Sequence, residues 1–233
     1  MYGLQWLQRL RQDLHDVNAV SIVAYGDSWT FGSVAEGWYE AVKAERDATL
    51  VHGSWASQLG KRLLQINANT CFFNKGVPGW TALNGHEAFA EIMERCKPDY
   101  ILLNFGINDW KNDVLIADYT AAMENMIRRA LAVDCGVVLW TSGPLSTCTG
   151  QTYGWDKPVE DSTFPHRFEE FNAVLRGFAA KYDLPLADAA AGIETLWEDG
   201  TDLSDWFYDA IHFKQEGHDF IYSSLIRLLL QEN

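Results

Sequence analysis

The sequence predicts a single α/β domain built as a three-layer α/β/α sandwich around a mostly parallel sheet. Three observations predict it. Short apolar runs containing β-branched residues recur along the 233-residue chain, and each is followed by a stretch with helical periodicity. The runs end in loops rich in Gly, Asn and Asp, as strand-to-helix connections do. No internal repeat, low-complexity tract or linker divides the chain, and its length suits one well-buried core over residues 1–233.

Residues 1–18 form the first helix, because Leu4, Leu7, Leu10 and Leu14 share one helical face with Arg9, Arg11 and Asp13 between them. Residues 19–24 are a buried strand that runs into Tyr25-Gly26-Asp27-Ser28-Trp29-Thr30-Phe31-Gly32. Residues 33–50 are mixed and partly helical, with Trp38, Tyr39 and Val42 on the apolar side. A helix opens at Ser54 and reaches Ile66. Residues 70–74 read as a second strand, broken by the glycines and proline of Lys75-Gly76-Val77-Pro78-Gly79. A helix over 83–96 stops at Lys97-Pro98, and 100–104 is a third strand ending in Phe105-Gly106-Ile107-Asn108-Asp109-Trp110. Helix 116–133 and strand 136–140 follow. Residues 141–163, rich in Ser, Thr, Gly and Pro, form a long loop expected at the rim of the site. Helix 164–182, a short strand at 184–187 and helices at 189–197 and 214–231 complete the pattern, around an irregular stretch at 199–212.

Composition narrows the function. The net charge of −14 opposes nucleic acid and anionic membrane surfaces, and no Lys/Arg-rich run offsets it. No stretch approaches the ~18 apolar residues of a membrane span, and the first helix is not a secretory signal. A cytoplasmic protein without membrane insertion is expected, with secretion by another route left open. Cys71, Cys96, Cys135 and Cys148 have no metal or disulfide-scaffold spacing. Cys71 and Cys135 lie in apolar runs, which predicts buried thiols. No cofactor and no metal are expected, because neither His-Glu-x-x-His nor paired Cys sites occur.

The chemistry gathers where strands end. A serine becomes a useful nucleophile only when a base accepts its proton, and that base needs a partner to fix its tautomer. Ser28 ends the first strand, and Asp209 and His212 stand three residues apart just before the last helix. The oxyanion formed on attack needs aimed donors, and Ser28 N–H, Gly76 N–H and the Asn108 amide are candidates. Singly, each has a plainer reading. Asp27 and Ser28 are good helix caps, Gly76 suits a turn, Asn108-Asp109 suits a turn or cap, and Asp-x-x-His is a common surface pair. Their joint occurrence at strand ends favours catalysis. His15, His52, His86, His166 and His218 lack a paired acid at that edge, and a structural or solvent-facing role is expected of His218.

With these blocks the chain resembles the GDSL or SGNH hydrolases. Gly26-Asp27-Ser28 matches the first block, Gly76 after Asn74 the second, Gly106-Ile107-Asn108-Asp109 the third and Asp209-Ala210-Ile211-His212 the last. Two positions depart from the pattern: Trp29 replaces the Leu of the family name, and Phe213 follows the histidine where many members have proline. The resemblance implies a flavodoxin-like fold and metal-free, serine-dependent ester hydrolysis. It also implies a Ser28, Asp209, His212 triad, with Ser28, Gly76 and Asn108 as the oxyanion hole.

The expected partner is therefore a small-molecule or carbohydrate ester. Ten tryptophans suit stacking on sugar rings, and no aliphatic lid for lipid is evident, which favours an O-acetylesterase. A short-chain carboxylesterase, lipase or thioesterase is the alternative, and a non-catalytic binding module the more distant one.

Overall fold

The computed structural model describes residues 2–47, 49, 51–143, 166–203 and 205–231. Within it the chain runs α1 (Tyr2–His15), β1 (Val20–Gly26), α2 (Ser28–Phe31), α3 (Trp38–Lys43), α4 (Trp55–Ile66), β2 (Thr70–Gly76), α5 (Ala82–Cys96) and β3 (Tyr100–Leu103). It continues through α6 (Ile107–Lys111), α7 (Ile116–Ala132), β4 (Gly136–Trp140), α8 (Phe168–Tyr182), β5 (Leu186–Ala187), α9 (Ala189–Glu198) and α10 (Gln215–Leu230). The long loop predicted at 141–163 falls from residue 144 onward outside the described residues.

The sheet is parallel throughout, in the order β2-β1-β3-β4-β5. Helices α1, α4 and α10 pack together on one face, and α5, α7 and α8 on the other. The chain order reverses between β1 and β3, which leaves a crevice at their carboxyl ends where open α/β sheets bind ligands. Both β1 and β3 lead directly into motif residues.

The central strands are buried on both sides, which explains their continuous apolar runs: every residue of β3 and β4 is buried, and so is all of β1 except Ser21. On α4, Trp55, Leu59 and Leu63 recur at helical spacing and are fully buried. Each such burial contributes roughly 1.5–3 kcal/mol. Ser54 starts that helix by accepting the Ser57 N–H at 3.1 Å. Leu7, Leu10 and Leu14 bury the apolar face of α1. Arg11 in α1 donates to the Leu228 and Leu229 carbonyls at 2.9 and 2.8 Å, tying α1 to the last turn of α10.

Several local expectations differ from the structure. Strand β2 does not break at Lys75 but pairs with β1 through Gly76, because the next bond, Val77 N–H to Gly26 O at 2.9 Å, extends the ladder. Strand β5 shrinks to Leu186–Ala187, beside Pro185, which has no N–H to give. Cys135 is buried as expected, but Cys71 is exposed. The reason is strand order: β2 lies at the sheet edge, where an apolar run is covered incompletely.

Candidate active site

The first motif sits where β1 hands over to a single helical turn. Asp27 caps that turn, its Oδ1 accepting the Trp29 N–H at 2.9 Å. Ser28 is therefore the first residue of α2 and is itself buried at 5% exposure. Its N–H is one of the groups that a helix start leaves without an intrahelical partner, and no acceptor for it exists among the described residues.

The last motif reaches the same point from 184 residues away. His212 Nε2 lies 3.0 Å from Ser28 Oγ. On the other side of the ring, Nδ1 lies 2.9 Å from Asp209 Oδ2. Asp209 Oδ1 accepts the N–H groups of Ile211 and His212 at 2.9 and 2.7 Å, which fixes the carboxylate to its own loop. Partial burial pushes the Asp209 carboxyl up, but the His212 contact and these N–H groups outweigh it and hold it below its ordinary value. An ionised Asp209 accepts the Nδ1 proton, so the Nε2 lone pair faces the Ser28 hydroxyl. Ser28, His212 and Asp209 thus form one hydrogen-bonded chain.

Asn108 lies in the first turn of α6, 6% exposed, and donates through Nδ2 to the Trp80 carbonyl at 2.9 Å. One N–H of that amide remains. The neighbouring Asp109 accepts the Ala82 N–H through both carboxylate oxygens at 3.0 Å. The third motif therefore grips the loop after β2 at two points, on either side of Thr81.

In that loop the structure corrects one expectation. Gly76 N–H donates to Asn74 Oδ1 at 3.0 Å and is not available to an oxyanion. A Cβ at Gly76 would stand 2.2 Å from the Phe31 nitrogen, so this glycine exists for the close approach of β2 to α2. The available N–H in the loop belongs to Gly79. Trp80 N–H bonds to Val77 O at 3.2 Å, and Pro78 has no N–H. Gly79, at φ +83° and exposed, has no acceptor among the described residues. Its sequence signal was the Pro-Gly pair, which favours a type II turn with glycine at the third position.

Asp27 and Asp109 are buried beneath these loops. Burial pushes both carboxyls up to about 7, with Asp109 adding to the effect on Asp27. Trp110 is core, edge-on to Phe168 at 6.2 Å. His218 is buried rather than solvent-facing. Among the described residues, no group of three or more His, Cys, Asp and Glu side chains is arranged to hold a metal ion.

Residues 24–220 match the model of the GDSL-like lipase/acylhydrolase family. The chain belongs to this family. It is an ester hydrolase of the GDSL type, and its five-stranded parallel sheet between helices matches the fold of solved hydrolases. Among solved structures it is similar to LAE5, an alpha/beta hydrolase enzyme from the metagenome of Lake Arreo, Spain. That match has a TM-score of 0.69 and 17% identity over 90% of this chain and 94% of the other. A variant of Axe2, an acetyl xylan esterase from Geobacillus stearothermophilus, matches with a TM-score of 0.70 and 17% identity over 92% and 96%. The acetyl xylan esterase AlAXEase matches with a TM-score of 0.65 and 14% identity over 88% and 96%. At these identities the likeness is one of fold. No curated protein matches the chain.

Proposed function

We propose that this GDSL hydrolase is an O-acetylesterase acting on a carbohydrate or another small acetylated substrate, through an acyl-enzyme on Ser28. The observation that carries the serine mechanism is the chain from Ser28 Oγ through His212 to Asp209, with contacts of 3.0 and 2.9 Å. Ser28 Oγ attacks the ester carbonyl while His212 Nε2 takes its proton. The carbonyl oxygen becomes an oxyanion, received by Ser28 N–H, Gly79 N–H and the remaining Asn108 N–H. His212 then protonates the departing alcohol as the carbon–oxygen bond breaks. Water, giving its proton to His212, attacks the acyl-enzyme; as the bond to Ser28 Oγ breaks, His212 passes that proton to Oγ and the acid is released. Asp209 holds the ring and offsets the charge of the transient imidazolium.

The leaving alcohol must lie on the His212 side of this site. A cavity of about 350 Å³, lined among others by Val34, Tyr39, Tyr208 and Lys214, involves residues on either side of Asp209 and His212 in the chain. An aromatic wall with polar neighbours suits a sugar ring. The acetyl xylan esterases among the similar folds support the same choice. The test compares the wild type with Ser28→Ala on p-nitrophenyl esters from acetyl to long-chain acyl, and on acetylated xylan. Turnover confined to short acyl groups, with acetate released from xylan and both activities lost in the variant, is expected. Preference for long acyl chains would replace this reading with a lipase or general carboxylesterase.

A further inference from the structure

His218 is a buried polar residue that the mechanism above does not use. It lies in the first turns of α10, six residues after His212, and is 2% exposed. Its Nε2 is 3.1 Å from the Ser33 carbonyl. A carbonyl can only accept, so Nε2 carries the proton and donates. Nδ1 is then a buried lone pair, and it has no partner among the described residues. Burial pushes the imidazole down to about 4, opposed by the Ser33 bond and by Asp219, and aided by His212. Near neutral pH the ring is therefore neutral, and Nε2 keeps the proton it donates.

Its partner is informative. Ser33 N–H donates to Ser28 O at 3.1 Å, and Gly32 N–H donates to the same oxygen at 3.1 Å. The segment that His218 holds is therefore the one that closes the nucleophile's own helical turn. A second strut runs parallel to it. Gln215, the first residue of α10, accepts the Glu36 N–H at 2.9 Å and donates to Gly53 O at 2.9 Å. Ser28 and His212 are 184 residues apart, so nothing local fixes their separation. These bonds fasten the helix after His212 to the segment after Ser28.

We propose that His218, seconded by Gln215, is a positioning residue for the reaction: it clamps the Ser28 turn to α10 and so sets the Ser28–His212 contact. This rests on the serine-hydrolase reading. A bond from a buried neutral imidazole survives where a bond from a charged side chain would carry a large desolvation cost. The orphaned Nδ1 fits a residue kept for one directed bond, since an apolar side chain would otherwise pack there at lower cost.

The experiment uses the full chain with His218→Gln, His218→Leu and Gln215→Ala, each first shown to fold by circular dichroism and melting. Gln places an N–H near the imidazole Nε2 position, whereas Leu supplies volume without a donor. With p-nitrophenyl acetate, His218→Leu should lower kcat by about 10–100-fold with KM within about two-fold, the response to a nucleophile and base displaced by up to ~1 Å. Labelling of Ser28 by an organophosphonate should slow in parallel, and His218→Gln should recover most of both. A folded His218→Leu protein with wild-type kcat overturns the proposal, and so does His218→Gln that is no better than Leu. If His218→Leu does not fold, Gln215→Ala carries the test: a smaller fall in kcat at constant KM supports the clamp, and an unchanged kcat overturns it. Wild-type protein that neither turns over esters nor is labelled overturns the serine-hydrolase reading itself. Failure of the clamp alone leaves wild-type turnover intact.

Discussion

The rings of Trp29 and Phe213 meet edge to face, with centroids 4.5 Å apart. Trp29 follows the nucleophile and Phe213 follows the base, and these are the two positions at which the motifs depart from the family pattern. Both are buried, and Phe207 packs on Phe213 at 4.7 Å from within the same loop. Trp29 also offers its carbonyl to Trp55 Nε1 at 2.8 Å, which anchors the turn to α4. The departures are thus a matched pair that fills one volume between the two catalytic segments.

From this pairing, Trp29→Leu should destabilise the protein by about 2–4 kcal/mol, since it leaves a cavity that the packed surroundings cannot close. A double-mutant cycle with Phe213→Leu should return a coupling of about 0.5–1.5 kcal/mol by denaturant unfolding. Additive losses would mean that the two rings merely share the core. Gly217→Ala offers a third reading of the same volume, because its Cβ would fall 2.1 Å from the Phe213 ring. A loss of about 1–3 kcal/mol is expected, smaller when Phe213 is Leu.

Removal of the Asn108 amide takes away a donor required only once the oxyanion forms. Asn108→Ala should therefore lower kcat by about 10²–10³ while KM changes little. Its bond to the Trp80 carbonyl means that the Gly79 loop loosens too, so a fall at the upper end is expected. Wild-type kcat in folded Asn108→Ala protein would remove this residue from the oxyanion hole.

Asp209→Asn keeps the size of the acid but not its charge. It can no longer demand the Nδ1 proton from His212, and the ring is free to take the other tautomer. A fall in kcat of about 10⁴ is expected, with the fold retained, since the backbone N–H groups of Ile211 and His212 still find an oxygen. Steady-state rates on p-nitrophenyl acetate check this directly.

The buried pair Asp27 and Asp109 gives stability a definite pH slope. Each folded carboxyl is pushed up to about 7 by burial, and an unfolded Asp titrates near 4. Between those values the folded state binds more protons than the unfolded state, so stability falls as pH rises from about 4 to about 7. Above that window the cost is constant. Asp27→Asn keeps the oxygen that caps Trp29 N–H and needs no proton, so it should flatten the slope measured by urea unfolding. An unaltered slope in this variant would show that Asp27 is ionised in the folded protein.

The exposed edge strand makes a further prediction. Cys71 should react with a thiol reagent within minutes under native conditions, whereas Cys135, buried with its thiol pushed up to about 12, should react only on unfolding. Peptide mapping after timed labelling distinguishes them.

Much of this site is legible in the sequence. Strands and helices announce themselves by local periodicity, and a parallel sheet brings every strand's carboxyl end to one edge. That placed the Gly26-Asp27-Ser28 and Gly106-Ile107-Asn108-Asp109 loops together, and the spacing of Asp209 and His212 brought acid and base within one turn of chain. The tertiary structure decided what depends on a neighbour far along the chain. Gly76 and Gly79 are equally good turn glycines in sequence, and only the return of the Asn74 side chain shows that the first N–H is engaged and the second is not. Cys71 and Cys135 sit in similar apolar runs, but Cys71 falls on the edge strand β2 and Cys135 just before the inner strand β4, so one is exposed and the other core. His218 reads as one more helical histidine until α10 is laid against Ser33. Trp29 and Phe213 are separate exceptions until their rings touch. Hydrophobic period and turn chemistry act over a few residues and so are carried by the sequence itself. Burial, hydrogen-bond partnership and ring contact are properties of pairs, and the chain acquires them only when it folds.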